Sequence, residues 1–563
     1  MKSNIIGINC SLQSNGKYTF DGNVALIRDG ELIMAVAEER VSRKKYDGHF
    51  RHALNYVLER TKTSVESIEA VAVSTFAQPT EEEAASRYSI QQAVKDVVGA
   101  NVNVSIAPSH HEIHALSAAS QCGVEESLIV VIDNEGSIIG SRSNSKLWEN
   151  RLERTSYYLF KDDRLTLLER DHDGFGEVGF GKAYSKVTRF VGFESYHQAG
   201  KTMGLAPFGN PHLLSSCQLF QVCSKRGVKT TMQNSDNGLA DLKNWFKTQA
   251  IDLPAPRAKQ NPIRPIDMQL SRWIQEELEK NVTRRLALLL NKYKVRHLCM
   301  SGGVSLNSVM NYRLLTELPV DDVFVPPSPG DAGLALGAAA WYLWKQNGII
   351  PKWTAKSYLG GEYSTKEIEK YLSQSLTSFT IRHHDDPARA AAQILSKGGI
   401  IGWFQGASEY GPRALGNRSI LADPRNVWMK DIVNHQVKMR EWFRPYAPSI
   451  LLKKADEYFH LNKPEPFMMK IAHTKEAAKI SLPACVHVDE TSRLQTVTEE
   501  DCPLYAHLLE SFYELTDVPA VLNTSFNLNG MPIVESPQDA IDCFLKSPHL
   551  NRLFLGNLEI SRS

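Results

Sequence analysis

RHLCMSGGVSLN, residues 296–307, is an apolar run that ends in a pair of glycines and continues with residues of helical spacing. The run Arg296–Met300 predicts a buried strand, and the residues after the glycines predict a helix from about Leu306. A further apolar run at Val323–Val325 predicts the next strand. Strand, loop, helix and strand in this order indicate an α/β fold.

The same alternation continues toward the N-terminus. Asp29-Gly30 lies between two apolar runs, which predicts a hairpin. Further strands are predicted at Ile5–Asn9, Val24–Ile27, Leu32–Ala37, Ala70–Ser74 and Ser127–Ile132, and helices at His52–Arg60, Gln91–Val98 and Leu270–Leu290. The first part of the chain is therefore expected to be α/β, and its sequence shows no internal repeat.

The length of the chain, 563 residues, predicts more than one domain, because single hydrophobic cores stop growing at roughly 250–300 residues. Gln346–Gly361 combines Gly, Pro and turn residues and predicts a linker. We therefore expect two domains, residues 1–350 and residues 351–563. In the second domain we predict a helix at Asp386–Ser396, a strand at Gly399–Phe404, and a hairpin in which Ala520–Asn523 and Met531–Val534 flank Asn529-Gly530.

Composition narrows the classes of function. A formal net charge of +1 argues against a nucleic-acid partner, and eight cysteines without a C-x-x-C pair argue against a zinc ribbon or a disulfide framework. The longest apolar run, Leu334–Trp344, is shorter than the ~20 residues that span a bilayer, and the apolar stretch at the N-terminus is too short for a signal peptide. We expect a cytoplasmic protein with small-molecule partners and no membrane partner.

Two histidines and two aspartates form a candidate metal site. His110 and His114 are four residues apart at the start of a predicted helix, so one helical face presents both imidazoles. Asp133 follows a predicted strand and Asp331 lies between a strand and a helix, where ligands bind in α/β sheets. This mixed N/O set suits iron(II), manganese or zinc. The alternatives are surface histidines and aspartates that cap helices or form turns.

Glycine-rich turns near these residues are candidate nucleotide contacts. Gly302-Gly303 allows the backbone to approach phosphate or ribose, and the helix that follows attracts negative charge. The block GKTMGLAP, residues 200–207, places Lys201 in a similar glycine setting beside Gly204.

The second domain gathers cations in loops. EYGPRALGNRS (409–419) and KMREWFRP (438–445) hold arginines, whose planar forks match phosphate oxygens, and a lysine, which acts as a point charge. SRLQTV (492–497) and LNTSFN (522–527) add hydroxyl and amide groups that can orient a phosphoryl or another small polar group. The pattern favours a small-anion site, and the alternative is a solvated basic face beside a polar hairpin.

Several of these blocks, in this order, resemble a known family. HHEIHA (110–115), the loop at Asp133, HQAGKTMGLAPFG (197–209), SGGVSLN (301–307) and PSPGDAGLALGAA (327–339) resemble the Kae/TsaD-like domain of the NodU/CmcH/TobZ carbamoyltransferases. The later basic blocks resemble the YrdC-like domain of the same family. The resemblance implies an actin-like ATPase domain, built from two ribonuclease-H-like halves, followed by an α/β YrdC-like domain.

The resemblance also implies roles for individual residues. The implied iron(II) ligands are His110, His114, Asp133 and Asp331, and the implied nucleotide contacts are Lys45, Gly303 and Asn307. The implied carbamoyl phosphate and ATP contacts are Arg413, Lys438, Arg444, Arg493, Asn523 and Ser525.

The activity implied by the resemblance is O-carbamoyl transfer. Carbamoyl phosphate and ATP would give carbamoyl adenylate, whose carbamoyl group passes to a hydroxyl of a small natural product such as an antibiotic or toxin. Mg²⁺ is a further candidate cofactor, and we expect a monomer or homodimer. The alternatives are N-carbamoylation of a small molecule, tRNA threonylcarbamoylation, and a non-catalytic actin-like regulator that binds nucleotide.

The chain departs from the family pattern in the first hairpin. Phe20 stands where the family has a histidine that is the proposed base for the acceptor hydroxyl. Asp21, the next residue, is our candidate for that base.

Overall fold

A computed structural model of the chain describes residues 3–10, 21–75, 81–139, 151–172, 178–224, 227–232, 238–375, 379–461 and 463–562. It is a mixed α/β structure, as predicted. Within these ranges, no helix is both long enough and apolar enough to cross a membrane.

The first part of the chain alternates strands and helices up to residue 347. Its strands are β1 (Asn4–Asn9), β2 (Asn23–Arg28), β3 (Glu31–Ala37), β4 (Ile68–Ser74), β5 (Asn103–Ile106), β6 (Glu126–Ile132), β7 (Ile138–Ile139), β8 (Arg151–Lys161), β9 (Arg164–His172), β10 (Phe220–Cys223), β11 (Gly227–Thr230), β12 (His297–Ser301) and β13 (Asp322–Phe324). Its helices are α1 (Glu38–Ser42), α2 (Arg51–Thr61), α3 (Glu81–Val98), α4 (His110–Ala119), α5 (Phe180–Phe190), α6 (Ala199–Leu205), α7 (Gly238–Thr248), α8 (Pro265–Tyr293), α9 (Ser308–Glu317) and α10 (Leu334–Asn347).

Two sheets in this part share one topology. The first has the strand order β3-β2-β1-β4-β5. The second has six strands in the order β13-β12-β6-β8-β7, and β9 also pairs with β8; β6 is antiparallel to β8 and parallel to β12, and β12 is parallel to β13. In each sheet, the first strand along the chain (β1 or β6) therefore has a hairpin on one side (β2-β3 or β8-β9) and two parallel strands on the other (β4-β5 or β12-β13). The duplicated ribonuclease-H-like architecture is present although the sequence shows no repeat.

The last third of the chain is also α/β. Its strands are β14 (Phe379–His383), β15 (Ile401–Phe404), β16 (Arg418–Ala422), β17 (Ala447–Leu451), β18 (Ile471–His473), β19 (Thr491–Arg493), β20 (Gln495–Val497), β21 (Ala520–Ser525), β22 (Arg552–Leu555) and β23 (Leu558–Arg562). Its helices are α11 (Thr365–Ser375), α12 (Pro387–Ser396), α13 (Met429–Ile432), α14 (Leu452–Tyr458), α15 (Glu476–Ser481), α16 (Pro503–Thr516) and α17 (Pro537–Lys546), and a π-helical turn follows α13 at Val433–Lys438. The main sheet has the order β14-β23-β22-β15-β16-β21-β17-β20.

Contacts between Cα atoms divide the chain into two compact units. The first unit comprises Met1–Thr19, Ile27–Leu32 and Val65–Ala355, and the second comprises Phe20–Leu26, Ile33–Ser64 and Lys356–Ser563. The second unit therefore contains two segments from the N-terminal part of the sequence. The expected division into domains at residues 350 and 351 stays a prediction.

Helix α10 packs closely against the central strand of the first sheet and against α4. A Cβ atom on Gly7 of β1 would lie 1.9 Å from the carbonyl oxygen of Ala335, and one on Gly337 would lie 2.2 Å from the carbonyl oxygen of Ile113. Only glycine permits such an approach, because any side chain at either position would overlap backbone atoms. The contact fixes α4, which carries His110 and His114, beside the start of α10, which directly follows the loop that contains Asp331.

The predicted C-terminal hairpin is wrong. The strand predicted at Ala520–Asn523 is present as β21, but Met531–Val534 is not a strand and Asn529-Gly530 forms a turn within a loop. β21 lies between β16 and β17, which occupy both of its edges, so no edge is left for a hairpin partner. Pro532 also lacks the N–H group that a central strand donates.

Candidate functional site

Helix α4 presents two buried histidines to one point. Ser109 caps the helix, because its side chain accepts a hydrogen bond from the backbone N–H of Glu112 at 3.2 Å. One turn of helix separates His110 from His114, and their Nε2 atoms are 3.2 Å apart. The side chains are 4% and 1% exposed, which excludes the alternative of two surface histidines.

Two aspartates complete this cluster. Asp133 directly follows β6, and Asp331 lies in the loop that leads into α10. Oδ2 of Asp133 is 3.4 Å from Nε2 of His110 and 3.2 Å from Nε2 of His114, and Oδ1 of Asp331 is 3.4 and 3.2 Å from the same atoms. The four ligand atoms all lie within 4.8 Å of one another.

The electrostatics of the cluster favour a positive charge at its centre. Burial opposes charge on all four groups, yet the carboxylates raise the pKa of His110 and of His114. The histidines in turn hold the pKa of Asp133 at about 2 and lower the pKa of Asp331. Two buried carboxylates beside two imidazoles therefore favour a positive charge between them.

The donor set fits a divalent cation. Two imidazole nitrogens and two carboxylate oxygens, 3.2–3.4 Å apart in the measured pairs, are suitably spaced to share one ion through bonds of ~2.0–2.2 Å. A cation would balance the charge of both carboxylates. Nitrogen and oxygen donors without a thiolate suit iron(II), manganese or zinc.

The glycine turn after β12 borders the same cluster. Gly302 has a φ of 87°, which favours glycine, and a Cβ atom at that position would lie 2.4 Å from the carbonyl oxygen of Ile132. A Cβ atom on Gly303 would lie 3.1 Å from Oδ1 of Asp133. The two glycines therefore let the turn approach the end of β6 beside the metal cluster, and their contact with a nucleotide stays a prediction.

Asn307 has a structural task in this turn. Its Oδ1 accepts a hydrogen bond from the backbone N–H of Met310 at 3.0 Å and so caps α9. Its Nδ2 donates to Oε1 of Gln275 at 2.9 Å, and Nε2 of Gln275 donates back at 3.0 Å. Every polar atom of this amide is engaged, and its role as a nucleotide contact stays a prediction.

Lys201 and Gly204, two further predicted nucleotide contacts, lie on α6. The Nζ atom of Lys201 is 5.5 Å from the centre of the Phe193 ring, and Gly204 is buried in the same helix.

The basic blocks of the second unit gather into one cluster, which we call the cation cradle: Arg413, Lys438, Arg440, Arg444 and Arg493. Burial and the charge of Arg444 lower the pKa of Arg413 to about 10. Burial, together with the charges of three other cradle arginines, also lowers the pKa of Arg493 well below its usual value. Because these cations repel one another, a bound anion would be favourable among them.

Carboxylates do not neutralise the centre of the cradle. In the described part of the chain, Arg413 and Arg493 form no salt bridge, and the Nε atom of each is buried without a hydrogen-bond partner. At the margin, Arg444 lies 3.7 Å from Glu441, and Arg440 stacks 4.2 Å from the centre of the Tyr446 ring. The two central arginines are therefore half-buried, and their contact with an anion stays a prediction.

Lys438 is the buried lysine of the cradle, and its ammonium group forms hydrogen bonds with protein oxygens. Its Nζ atom reaches the backbone oxygens of Ser525 and Asn527, both at 2.7 Å, and their side-chain oxygens at 3.3 and 2.6 Å. The hydroxyl of Ser525 donates to Oδ1 of Asn527 at 2.7 Å. These contacts order the loop after β21, whereas direct contact of Lys438 with a ligand stays a prediction.

Lys45 and Asp21 also belong to the second unit. The Nζ atom of Lys45 donates to Glu39 at 3.0 Å and lies 4.9 Å from the centre of the Tyr46 ring. The charges of Glu39 and Asp21 add to burial in raising the pKa of Tyr46 to about 12, while Arg444 lowers it. Asp21 has a φ of 55°. Phe20, which replaces the family's histidine, lies outside the described residues.

Comparison with known proteins identifies the family. The description Carbamoyltransferase N-terminus matches residues 10–105 and 100–340, and Carbamoyltransferase C-terminus matches residues 392–562. The chain belongs to the carbamoyltransferase family. The resemblance noted in the sequence is thereby confirmed.

Relatives of this carbamoyltransferase match along most of its length. Nodulation protein NolNO of Sinorhizobium fredii is 32% identical over 98% of this chain and 80% of its own. Nodulation protein NolO of Bradyrhizobium diazoefficiens is 36% identical over 80% of this chain and 78% of its own. The uncharacterized protein sll1178 of Synechocystis is 31% identical, with 97% and 96% coverage.

Solved structures are more distant. Full-length HypF in a phosphate- and nucleotide-bound form is 12% identical, covers 61% of this chain and 56% of its own, and has a TM-score of 0.34. Component A of the (R)-2-hydroxyglutaryl-CoA dehydratase of Acidaminococcus fermentans has the same identity and TM-score, with 61% and 98% coverage. Scores at this level carry no argument about function.

Two residues that sequence reasoning did not single out organise the cradle of this carbamoyltransferase. Oε1 of Glu409 accepts three backbone N–H groups of the Arg413 loop, from Leu415 at 2.7 Å, Asn417 at 2.8 Å and Arg418 at 3.3 Å. Gln495 donates to the carbonyl oxygen of Leu415 at 2.7 Å. Glu409 and Gln495 both lie inside motifs described in the sequence analysis. Only their hydrogen-bond partners distinguish them from neighbouring residues, and the partner of Gln495 is remote along the chain.

Asn523 joins the same network. Its Nδ2 donates to the carbonyl oxygen of Ala414 at 3.1 Å, to the hydroxyl of Ser449 at 2.9 Å and to Oε1 of Gln495 at 3.3 Å. Its Oδ1 is buried and accepts no hydrogen bond within the described residues. The donor side of this amide supports the cradle, and the acceptor side is available to a ligand.

Proposed function

We propose that this carbamoyltransferase forms carbamoyl adenylate from carbamoyl phosphate and ATP and transfers the carbamoyl group to a hydroxyl of a small natural product. Family membership supports the transferred group. The observation that carries the donor chemistry is the cation cradle, in which Arg413 and Arg493 are half-buried and have no carboxylate partner in the described part of the chain. Half-buried cations without a counter-charge match a ligand with several anionic oxygens.

In the proposed adenylation, the cradle holds phosphoryl oxygens. Carbamoyl phosphate and one water give inorganic phosphate and carbamate, and a carbamate oxygen then bonds to the α-phosphorus of ATP as pyrophosphate leaves. Arg413 and Arg493 would neutralise the charge of the oxygens and align the two anions, which otherwise repel each other. Seclusion of the adenylate from water would limit its hydrolysis.

In the proposed transfer, the acceptor oxygen bonds to the carbamoyl carbon and AMP leaves. A cation held by His110, His114, Asp133 and Asp331, for which we propose iron(II), would neutralise phosphate charge and polarise the carbamoyl group when bound. Lys45, Lys201, Gly204, Gly302, Gly303 and Asn307 stay proposed nucleotide contacts, and Mg²⁺ a proposed companion of ATP. The acceptor proton goes to Asp21 in this proposal.

The first test is ATP–pyrophosphate exchange in the presence of carbamoyl phosphate and no acceptor. Exchange that depends on carbamoyl phosphate, and that falls about 10- to 100-fold in Arg493→Ala, is the expected result, because hydrogen bonds to charged groups contribute ~1.5–3 kcal/mol. Lys463→Ala, which removes a cation outside the cradle, is the matched control. An enzyme that transfers carbamoyl groups without such exchange would refute the adenylate.

A second experiment separates the two half-reactions at Asp21. If Asp21 is the base, Asp21→Asn lowers turnover with a hydroxyl acceptor and removes the loss of activity at acidic pH, while the exchange reaction is unchanged. Turnover that is unaffected across the pH range would exclude Asp21. Mass analysis of the product with hydroxyl and amine acceptors then distinguishes O- from N-carbamoylation.

A further inference from the structure

A buried carboxylate that is not a metal ligand connects the two halves of the metal cluster. Glu153 lies on β8 and is 1% exposed. It contacts the start of α4, which carries the histidines, and the loop that follows Asp133. A buried charge costs free energy unless hydrogen bonds and opposite charge compensate it, so the partners of Glu153 indicate its purpose.

On the helix side, Glu153 holds the first turn of α4. Oε1 accepts a hydrogen bond from the hydroxyl of Ser109 at 3.0 Å, and Oε2 accepts one from the backbone N–H of His111 at 3.4 Å. Ser109 is the residue that caps α4. A carboxylate at this end of a helix also interacts favourably with the helix dipole.

On the aspartate side, Glu153 holds the loop that begins at Asp133. Oε2 accepts a hydrogen bond from the backbone N–H of Ser137 at 3.0 Å, and the backbone of Glu153 exchanges further bonds with Ser137 at 3.0 Å and Gly136 at 2.9 Å. The hydroxyl of Ser137 connects this loop to α4, because it accepts a hydrogen bond from the backbone N–H of His110 at 3.0 Å.

The charge of Glu153 is balanced away from the metal ligands. Its Oε1 lies 2.8 Å from an Nη atom of Arg170 on β9. The carboxylate is thus anchored to the sheet on one side and to both ligand-bearing segments on the other.

We propose that Glu153 is a positioning residue for the metal centre: it sets the spacing between His110 on α4 and Asp133 after β6. This inference rests on the metal site of the proposed function. Glu153 does not touch a ligand atom of the cluster in any contact described above, so it acts through Ser109, Ser137 and the backbone of α4. Residues with this relation to a metal site typically change its affinity by 10- to 100-fold when they are replaced.

The test is Co²⁺ binding by the purified full-length chain. Co²⁺ is titrated into apoprotein against a competing chelator, and its visible ligand-field absorption reports the geometry of the ligands. Glu153→Gln keeps the size of the side chain and places an amide where four donors converge. We expect its Co²⁺ affinity to fall about 10- to 100-fold and its absorption spectrum to change.

Glu169→Gln is the matched control. Glu169 lies on β9 and bonds to Arg285 and to Lys292, both at 2.6 Å, so its loss disturbs a comparable ionic contact of the same sheet. A general loss of stability would lower the melting temperature of both variants. Only Glu153→Gln should change the affinity and spectrum of Co²⁺.

The outcomes separate this inference from the proposed function. A folded Glu153→Gln variant with the affinity and spectrum of the wild type overturns the positioning role alone. If Glu153→Gln does not fold, Ser137→Ala decides, because it removes only the bond to the His110 N–H: a several-fold loss of Co²⁺ affinity supports the role, and unchanged affinity overturns it. A wild-type chain that binds no Co²⁺ overturns the metal site and this inference together.

Discussion

Arg413, in a loop, and Arg418, five residues later at the start of β16, have opposite surroundings. The guanidinium of Arg418 is completely buried and donates to four backbone carbonyl groups, among them Gln405 at 2.5 Å and Gly361 at 2.8 Å, while it lies 3.6 Å from the centre of the Phe404 ring. Arg413 faces other cations. The motif contains two arginines, and only the fold shows that Arg418 has a structural role; a ligand contact of Arg413 stays a proposal.

Replacement of these two arginines should therefore give opposite results. Arg413→Ala removes one of several like charges, so we expect unchanged or higher stability and a loss of about 10- to 100-fold in carbamoyl phosphate-dependent exchange. Arg418→Ala leaves buried carbonyl groups without donors and opens a cavity, so we expect the free energy of unfolding to fall by about 3 kcal/mol or more. Denaturant unfolding and exchange assays on both variants measure this. Similar loss of stability in both would contradict the assignment.

The metal cluster makes a second prediction at this scale. A cation bound by the native chain and not by the unfolded chain raises stability, by ~2.7 kcal/mol when its concentration is 100 times the dissociation constant. We expect Fe²⁺ under anaerobic conditions to raise the melting temperature of the wild type, and His114→Ala to abolish the effect. His212→Ala, at an exposed position, is the control. A rise that persists in His114→Ala would place the ion elsewhere.

The ligand residues were predictable because two local signals mark them. The spacing of His110 and His114 defines one helical face, and Asp133 and Asp331 stand at strand and helix boundaries. Glu153 was not predictable in this way, because its partners lie 44 residues upstream at Ser109 and 16 residues upstream at Ser137. A residue whose role is to connect remote segments leaves no pattern in its own neighbourhood.

At the scale of elements, the spacing of apolar residues predicted those strands and helices whose formation depends on the burial of their own apolar side chains. The strand after Arg296 and the long helix α8 are examples, and both are present within a few residues of the predicted limits. The hairpin at Met531–Val534 failed because pairing is decided by the partner: β16 and β17 already occupy both edges of β21. Local turn chemistry cannot report that competition.

Close packing of α10 gives a prediction for an element. Gly337→Ala places a methyl group 2.2 Å from the carbonyl oxygen of Ile113, so α10 and α4 must move apart. We expect a loss of ~1–3 kcal/mol in the free energy of unfolding and weaker metal binding, because the movement separates Asp331 from the histidines. Gly200→Ala is the control: a Cβ atom there meets no heavy atom within 4 Å, and alanine favours the helix by ~0.5–1 kcal/mol. Equal melting temperatures for the two variants would contradict the close contact.

At the scale of the whole molecule, the sequence predicted the fold class and, through the resemblance, the duplicated sheet. Two contiguous domains are the simplest division of a linear sequence, and that division at residue 350 stays a prediction. The second compact unit, however, includes Phe20–Leu26 and Ile33–Ser64. Membership of a unit depends on contacts between remote residues, which composition and linker signals do not report.

These contacts predict the behaviour of fragments. Arg40 donates to the carbonyl oxygen of Gly411 at 2.9 Å, Arg43 to that of Ile533 at 2.7 Å, and Tyr56 to Glu535 at 3.0 Å. Expressed alone, residues 351–563 would lose all three and leave buried acceptors unsatisfied. We therefore expect the fragment to aggregate or to unfold without cooperativity.

A fusion tests whether the missing segment is the cause. Residues 20–64, joined by a flexible linker to residues 356–563, should unfold in one cooperative transition, whereas the same fusion carrying Arg43→Ala and Tyr56→Phe should unfold at a lower temperature. Circular dichroism measured against temperature compares the three proteins. If residues 351–563 alone unfold as cooperatively and at the same temperature as the fusion, the N-terminal segment contributes nothing to the unit. If the second unit needs this segment in order to fold, its folding also brings Lys45 and Asp21 into the unit that contains the cation cradle.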